Sequence, residues 1–159
     1  RNNKVAWYRE AISSGHNFRM SNIHAAIGHA QFNRLEEMNN NRKKSANFYN
    51  NLLSDKNRGV AIPQVGNNRE HVYQMYTVTV DEKIRNEVVE QLNRKGIGAS
   101  VHFDPPVHKQ EYYQYIKSKT SLKNTEKLSN SIITLPMYPT IKEEDMTYVV
   151  DEIYKIINN

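Results

Sequence analysis

The stretch HVYQMYTVTVDEKIRNEVVEQLNRKGIGASVHF, residues 71–103, contains the signals of a strand, a helix and a second strand in that order. His71 to Val80 is rich in β-branched and aromatic residues on both faces, which is typical of a buried strand. Apolar residues then recur at helical spacing from Ile84 to Leu92, and Gly96 is placed to cap the end of a short helix. Gly98 to Phe103 predicts the second strand. This alternation indicates a mixed α/β fold.

Immediately downstream, Asp104-Pro105-Pro106 must end the second strand, because proline cannot donate a hydrogen bond to a sheet ladder. The tyrosine-rich stretch from Tyr112 to Ile116 predicts a helical segment that packs one face. Stacking of a base on these tyrosines is the alternative interpretation.

The C-terminal part of the chain carries two further helical patterns. Thr125 to Ser131 predicts a helix, and Ile132 to Leu135 is a short apolar run. Thr140 and Glu143 have the spacing of a capping box, ahead of a final amphipathic helix that includes Met146 to Ile157.

Upstream of the opening stretch, apolar and small residues from Ser21 to about Ser54 keep three- and four-residue steps. Ser21 or Asn22 is the expected N-cap. A helix of ~33 residues would be roughly 50 Å long, and such a helix links domains or lines a subunit interface. The alternative is a bend or break at Asn39-Asn40-Asn41, where helix propensity is low. Pro63 to Asn68 is a loop.

The predicted fold class is therefore α/β of the α+β kind, with a long N-terminal linking helix followed by a small antiparallel or mixed sheet covered by helices. The predicted division is a linking segment and long helix at residues 1–60 and a small α/β domain at residues 61–159.

Composition narrows the class of protein. Lys and Arg number 22 against 17 Asp and Glu, for a net charge of +5, but the basic residues are scattered, and Arg42-Lys43-Lys44 is the densest cluster. Nucleic-acid binding is therefore a weak hypothesis. Cysteine is absent, which excludes disulfides and fits a cytoplasmic protein. No apolar run approaches the ~20 residues that cross a bilayer, so we expect no membrane partner.

The first candidate site is Gly15-His16-Asn17-Phe18-Arg19-Met20, which precedes the start of the long helix. A helix start presents free backbone N–H groups, the Asn17 amide can donate, and the Arg19 guanidinium can form a forked contact with phosphate or carboxylate. Ordinary capping, with Arg19 in a surface ion pair, is the alternative, and residue chemistry alone favours it.

The second candidate site is residues 101–108, where His102 and His108 bracket a rigid turn. A histidine can hydrogen-bond a substrate hydroxyl or exchange a proton near neutral pH. A buried, hydrogen-bonded histidine is the alternative. A metal site is disfavoured, because no third ligand lies at a recognised spacing. Every lysine lies in a polar context, so we predict no Schiff-base lysine and no catalytic residue in this chain.

Four segments together resemble one family. GHNFRMSNIHAAIGHAQFNRLEEM (residues 15–38), HVYQMY (71–76), KGIGASVHFDPPVHKQEYY (95–113) and LSNSIITLPMYPTIKEEDM (128–146) resemble, in order, segments of the DegT/DnrJ/StrS-type sugar aminotransferases. These are fold type I pyridoxal-phosphate enzymes. The likeness runs over nearly all 159 residues and corresponds to the C-terminal portion of the family.

The resemblance implies a reaction and its participants. Pyridoxal phosphate would take an amino group, commonly from glutamate, and deliver it to a keto-sugar linked to a nucleoside diphosphate. The product would serve cell-surface polysaccharide or secondary-metabolite sugar biosynthesis. The resemblance also implies a cytoplasmic homodimer.

The resemblance assigns roles to five residues. Asn17 would contact the cofactor phosphate in the neighbouring subunit, and Arg19 would meet the anionic substrate beside it. His102, Phe103 and His108 would lie on the sugar-binding side. The family's Schiff-base lysine would precede Arg1, so we expect this chain alone to be inactive and not to hold the cofactor. The alternative is a non-catalytic interaction or sugar-binding remnant of the family.

Overall fold

In the computed structural model, the described residues are 13–55, 58–113, 115 and 121–158. They form two short 3-10 turns, Val107–Lys109 and Glu111–Tyr113, and the following elements: α1 (Asn22–Phe32), α2 (Leu35–Leu52), β1 (Tyr76–Thr79), α3 (Arg85–Arg94), α4 (Lys123–Ser131), β2 (Ile132–Leu135) and α5 (Glu143–Ile157). The contacts divide the chain into two units, Arg1–Leu35 and Glu36–Asn159. The predicted domains, 1–60 and 61–159, stay a prediction.

The described part of the first unit is an extended segment followed by α1. Ser21 has extended backbone angles, and its Oγ accepts a hydrogen bond of 3.3 Å from the N–H of His24. This confirms Ser21 as the N-cap, because the bond satisfies one of the free N–H groups of the first turn. Every described residue from 13 to 35 is exposed.

The prediction of one unbroken helix is wrong, and the interruption lies at Asn33 and Arg34 rather than at Asn39-Asn40-Asn41. The N–H of Arg34 bonds to the carbonyl of Gln31 at 3.0 Å, which tightens the end of α1 into a turn. The three asparagines lie inside α2, whose residues Ser45, Ala46 and Tyr49 are buried. Packing of this face outweighs the low helix propensity of asparagine.

The second unit is built on a two-stranded antiparallel sheet, in which Tyr76 pairs with Leu135 and Thr79 pairs with Ile132. Single bridges extend it on both sides, from Ala61 to Thr79 and from Ser100 to Thr134. Helices cover the sheet, and a single cluster of buried apolar residues includes α2, α3, α5 and both strands. The predicted mixed α/β fold with a small antiparallel sheet is confirmed.

Both predicted strands of the opening stretch are shorter than expected. In the first, only Tyr76–Thr79 forms a strand, because Tyr73 has a φ of +50° and its N–H bonds back to the ring of His71 at 2.8 Å. In the second, only Ser100 pairs, since the N–H of Ala99 bonds locally to the carbonyl of Ile97. Local hydrogen bonds therefore replace sheet pairing at these positions.

The helix predictions fare better. Helix α3 is followed by Gly96 with a φ of +78°, the left-handed conformation expected of its C-cap glycine, and α4 and α5 form where predicted. The capping box is wrong: α5 begins at Glu143, with Lys142 as an N-cap that has no side-chain bond. Among the described residues near Tyr112, the structure shows the 3-10 turn Glu111–Tyr113, and Ile116 lies outside the described residues.

Two tyrosines at the centre of the core join α2 to the sheet. The rings of Tyr49 and Tyr76 stack with centroids 4.8 Å apart. The Tyr49 hydroxyl donates to the carbonyl of Pro136 at 3.1 Å, and the Tyr76 hydroxyl donates to Asn50 Oδ1 at 2.7 Å. Burial raises the pKa of both phenols, so they remain neutral hydrogen-bond donors.

Candidate functional site

The segment from Gly15 to Met20 is exposed throughout, and the side chains of Phe18 and Met20 are 87% and 69% exposed. Asn17 Oδ1 accepts a 3.1 Å hydrogen bond from the N–H of Arg19. This local bond orients the Asn17 amide and leaves its nitrogen available as a donor. Among the described residues, neither that nitrogen nor the Arg19 guanidinium has a polar partner.

Ordinary capping does not account for these two residues. Ser21 caps α1, and the structure shows no capping bond from Asn17 or Arg19 to the helix within the described residues. The predicted surface ion pair of Arg19 is also absent there. Two neighbouring donors, one of them a cation, therefore lie free on an exposed segment, an arrangement that suits an oxyanion such as phosphate.

The second candidate site, predicted at residues 101–108, lies in the loop of residues 102–109, which follows the bridge at Ser100. His102 is half-buried, and its Nδ1 lies 2.9 Å from Thr134 Oγ1 and 3.4 Å from Ser100 Oγ. This hydroxyl pair fixes the plane of the ring and leaves Nε2 for another partner. The Phe103 ring is 68% exposed and meets the His102 ring edge-on, with centroids 5.1 Å apart.

The middle of this loop is tied to the end of α4. Ser129 Oγ donates a 2.9 Å hydrogen bond to the carbonyl of Phe103. Arg85 forms an ion pair with Asp104, and its Nε donates to the carbonyl of Asn130 at 3.1 Å. Arg85 is only 6% exposed, so these two partners, rather than water, compensate its positive charge.

His108 lies against α4 at the far end of the loop, and its predicted role on the sugar side stays a prediction. Its Nε2 lies 3.2 Å from Glu126 Oε1, and Lys109 Nζ lies 2.8 Å from the other carboxylate oxygen. The hydrogen bonds from Lys109 and then His108 hold the pKa of Glu126 below its usual range. In this arrangement His108 fastens the loop to α4.

A groove of about 220 Å³ lies between the loop and α4. His102, Phe103 and Val107 line one side, and Thr125 and Leu128 line the other. Larger surface grooves of about 520 Å³ contain none of the predicted site residues, and one of them is lined by Arg58, Lys95, Asp151, Tyr154, Lys155 and Asn158. Of these grooves, the smaller one is the one that contains the predicted site residues His102 and Phe103.

The structure brings His102 and Phe103 together in one groove, whereas Asn17 and Arg19 belong to the other unit. Reasoning from the sequence missed Arg85, Ser129 and Thr134, which support the loop. Nothing in the residue spacing could have found them, because they come from α3, α4 and β2. Within the described ranges, no cluster of three or more possible ligands could hold a metal ion, and no helix is long and apolar enough to cross a membrane.

Known proteins resemble this chain along nearly its whole length. The sequence profile of the DegT/DnrJ/EryC1/StrS aminotransferase family matches residues 1–154. The chain belongs to this family. The spore coat polysaccharide biosynthesis protein SpsC of Bacillus subtilis is 30% identical over an alignment of 159 positions, gaps included, that covers 96% of this chain and 40% of that protein.

Solved structures share the fold of this chain. DesV of S. venezuelae, solved in complex with a ketimine intermediate, superimposes with a TM-score of 0.85 at 22% identity, over 99% of this chain and 41% of its own. NtdA of Bacillus subtilis, solved with bound cofactor PMP, gives a TM-score of 0.80 at 26% identity, over 98% of this chain and 36% of its own. The chain spans about two fifths of the length of the curated relatives it matches.

Proposed function

We propose that this chain is the C-terminal portion of a pyridoxal-phosphate-dependent aminotransferase that transfers an amino group, from glutamate, to a nucleotide-linked keto-sugar. Such sugars serve polysaccharide or secondary-metabolite biosynthesis. The observation that carries the proposal is family membership over residues 1–154 together with the free donors on the exposed segment of Asn17 and Arg19. The relatives' names support the sugar pathway, since SpsC is a polysaccharide biosynthesis protein.

The residues present suit the phosphate of the cofactor. Asn17 offers an uncharged amide donor, and Arg19 offers a cationic guanidinium with several donors. Both residues lie on an exposed segment, which is consistent with a contact to the active site of the neighbouring subunit in a homodimer. When bound, the cofactor supplies the electron sink for transamination. The chain's own residues bind and orient the anionic groups around it.

In the second unit, His102 and Phe103 are proposed to contact the sugar. With Nδ1 beside the Thr134 hydroxyl, the Nε2 atom of His102 can exchange a hydrogen bond with a sugar hydroxyl. The exposed face of Phe103 can pack against the apolar face of a sugar ring. His108 is proposed to act at the edge of this surface, because Glu126 already occupies its Nε2.

Cofactor binding by the full-length protein tests the enzyme assignment. Added pyridoxal phosphate should produce the visible absorbance of an enzyme-bound cofactor, and glutamate should convert that absorbance to the amine form. A full-length protein that does neither would sink the proposal and favour the alternative, a non-catalytic sugar-binding remnant. Strong salt-dependent binding of DNA or RNA would instead favour the basic-protein hypothesis.

Substitution of Asn17 and Arg19 tests the anion site. Asn17→Ala and Arg19→Ala should each weaken cofactor or substrate binding by roughly tenfold, since each removes a hydrogen bond to a charged group. Neither should change the thermal stability. Ser21→Ala is the matched control nearby, and it should destabilise α1 by about 1 kcal/mol without a direct loss of an anion contact. Loss of stability in the first two variants would show that they are structural residues.

A complementation experiment tests whether Asn17 serves the neighbouring subunit. Asn17→Ala protein is mixed with a variant that lacks the Schiff-base lysine of the full-length enzyme, and subunits are allowed to exchange. If Asn17 acts across the interface, hybrid dimers contain one intact site, and random pairing should restore about a quarter of the activity. If Asn17 serves its own subunit, every hybrid site is defective, and the mixture should show no more activity than the Asn17→Ala protein shows by itself.

A further inference from the structure

One continuous segment, residues 126–134, supports the loop of residues 102–109 at successive points. Thr134 holds the ring of His102, Ser129 holds the carbonyl of Phe103, and Asn130 shares Arg85 with Asp104. Glu126 holds His108 and Lys109 at the far end. The loop therefore depends on side chains from other elements rather than on sheet pairing, since only Ser100 bridges to β2.

Among these supports, Arg85 is the one buried charge. It is 6% exposed, while its partner Asp104 has a side chain that is 37% exposed. Because Arg85 is buried, loss of Asp104 would leave the guanidinium without a compensating charge. The planar guanidinium joins two groups at once, the Asn130 carbonyl at the end of α4 and the Asp104 carboxylate in the loop.

The two partners of Arg85, Asp104 and Asn130, are sequence neighbours of Phe103 and of the residue that holds it in the loop. Asp104 directly follows Phe103, whose carbonyl is held by Ser129, and Ser129 directly precedes Asn130. His102 directly precedes Phe103, and the rings of these two residues meet edge-on. Arg85 itself makes no contact with the groove, because the residues that line it do not include Arg85.

We propose that Arg85 is a positioning residue for the nucleotide-sugar site, acting through Asp104 and the end of α4 to hold His102 and Phe103 in place. This inference rests on the proposed function. A residue of α3 that lies outside the groove thereby sets the positions of His102 and Phe103 within it. The competing explanation is that Arg85 only stabilises the fold, because Val88 and Leu92 of the same helix lie in the core.

Kinetics of the full-length enzyme separate the two explanations. Arg85→Met, Arg85→Lys and Asp104→Asn are compared with Arg94→Met, a control on the same helix whose side chain is 77% exposed. Substrates are UDP- and dTDP-linked keto-hexoses with glutamate. Arg85→Met should raise the KM for the sugar by about tenfold, within the ~100-fold that a 1 Å misplacement can cost, and leave the KM for glutamate unchanged.

Rescue by a conservative variant adds a second criterion. Arg85→Lys keeps the charge but loses the fork, so it should recover part of the sugar KM and not all of it. Asp104→Asn breaks the same link from the loop side, where the residue is more exposed, and should reproduce the rise if Arg85→Met fails to fold. An equal rise in the KM for the sugar and the KM for glutamate, or a fall in kcat alone, would overturn the positioning role.

Hydrogen–deuterium exchange provides a readout that needs no activity. In Arg85→Met and Ser129→Ala, amides of residues 102–110 should exchange faster, while those of α5 and β1 should not change. Unchanged exchange in the loop would overturn the inference. A wild-type enzyme inactive on every sugar tested would contradict the proposed function, whereas an active one with an unchanged sugar KM in Arg85→Met would contradict this inference alone.

Discussion

At the scale of single residues, the phenol of Tyr49 shows how one polar atom organises the core. Tyr49 has no exposed surface, yet its hydroxyl reaches the carbonyl of Pro136, 87 residues further along the chain. The bond fixes α2 against the segment that leaves β2. Tyr76 stacks on it and makes its own bond to Asn50, so both phenols are satisfied.

Tyr49→Phe should lower the free energy of unfolding by about 1–3 kcal/mol, because the part-buried Pro136 carbonyl loses its partner. Tyr148→Phe, at a tyrosine 47% exposed, is the control and should stay within about 0.5 kcal/mol. Denaturant titration followed by circular dichroism measures both. Equal stability of the two variants would show that water replaces the Tyr49 hydroxyl.

The buried phenol of Tyr49 also leads us to expect a loss of folding stability at alkaline pH. Burial raises the pKa of Tyr49 above its ordinary value of 10.0, so above that pH the unfolded chain ionises while the folded chain keeps the proton. The folded state then binds more protons, and stability falls as the pH rises. Unfolding followed between neutral pH and about pH 11 should show this slope, and Tyr49→Phe should reduce it.

At the scale of elements, the end of α3 is joined to α5 by one carboxylate. Glu152 on α5 lies 2.7 Å from Lys155 one turn later and 2.8 Å from Lys95, the residue that follows α3. The bonds from Lys155 and then Lys95 lower the pKa of Glu152. The carboxylate is itself nearly inaccessible, which distinguishes it from the exposed pair of Glu90 and Arg94.

Glu152→Gln should lower the melting temperature at pH 7 more than the control Glu90→Gln, which removes an exposed pair of little energetic value. A lowered folded pKa means that the contribution of Glu152 is complete above its ordinary value of 4.5 and is lost as the pH falls through the folded pKa. The difference between wild type and Glu152→Gln should therefore shrink in acid. A constant difference across this range would contradict the ionic origin.

At the scale of the whole molecule, the two units differ in how they obtain stability. All the buried residues described lie in the unit from Glu36 onward, while α1 leaves Ile23, Ile27 and Phe32 exposed. The described part of the first unit therefore has no core of its own. Its apolar surface is consistent with the proposed homodimer.

Ile153→Ala should cost about 2–5 kcal/mol, because Ile153 is fully buried and its loss leaves a cavity. Ile27→Ala should leave the unfolding free energy unchanged or slightly raised, since alanine favours the helix and the side chain is 57% exposed. Denaturant titrations of both variants at low protein concentration measure this. A large cost for Ile27→Ala would show that α1 is packed in solution, as a dimer interface requires.

By itself, the sequence determined the elements whose signals are local. The helical spacing from Ile84 to Leu92 with Gly96 gave α3, the period of the last residues gave α5, and Ser21 gave the start of α1. Four ordered segments also identified the family without any structure. These features depend on backbone conformation and side-chain periodicity within a few residues, so they can be read along the chain.

Only the tertiary structure decided that α2 continued through its asparagines and what held the candidate site. Burial of one face of α2 kept Asn39, Asn40 and Asn41 helical. The loop that carries His102 is supported by Arg85, Ser129 and Thr134. Arg85 lies 17 residues before His102, and Ser129 and Thr134 lie 27 and 32 residues after it. Such contacts follow from packing between separate elements, and the order of residues does not encode them in any fixed spacing.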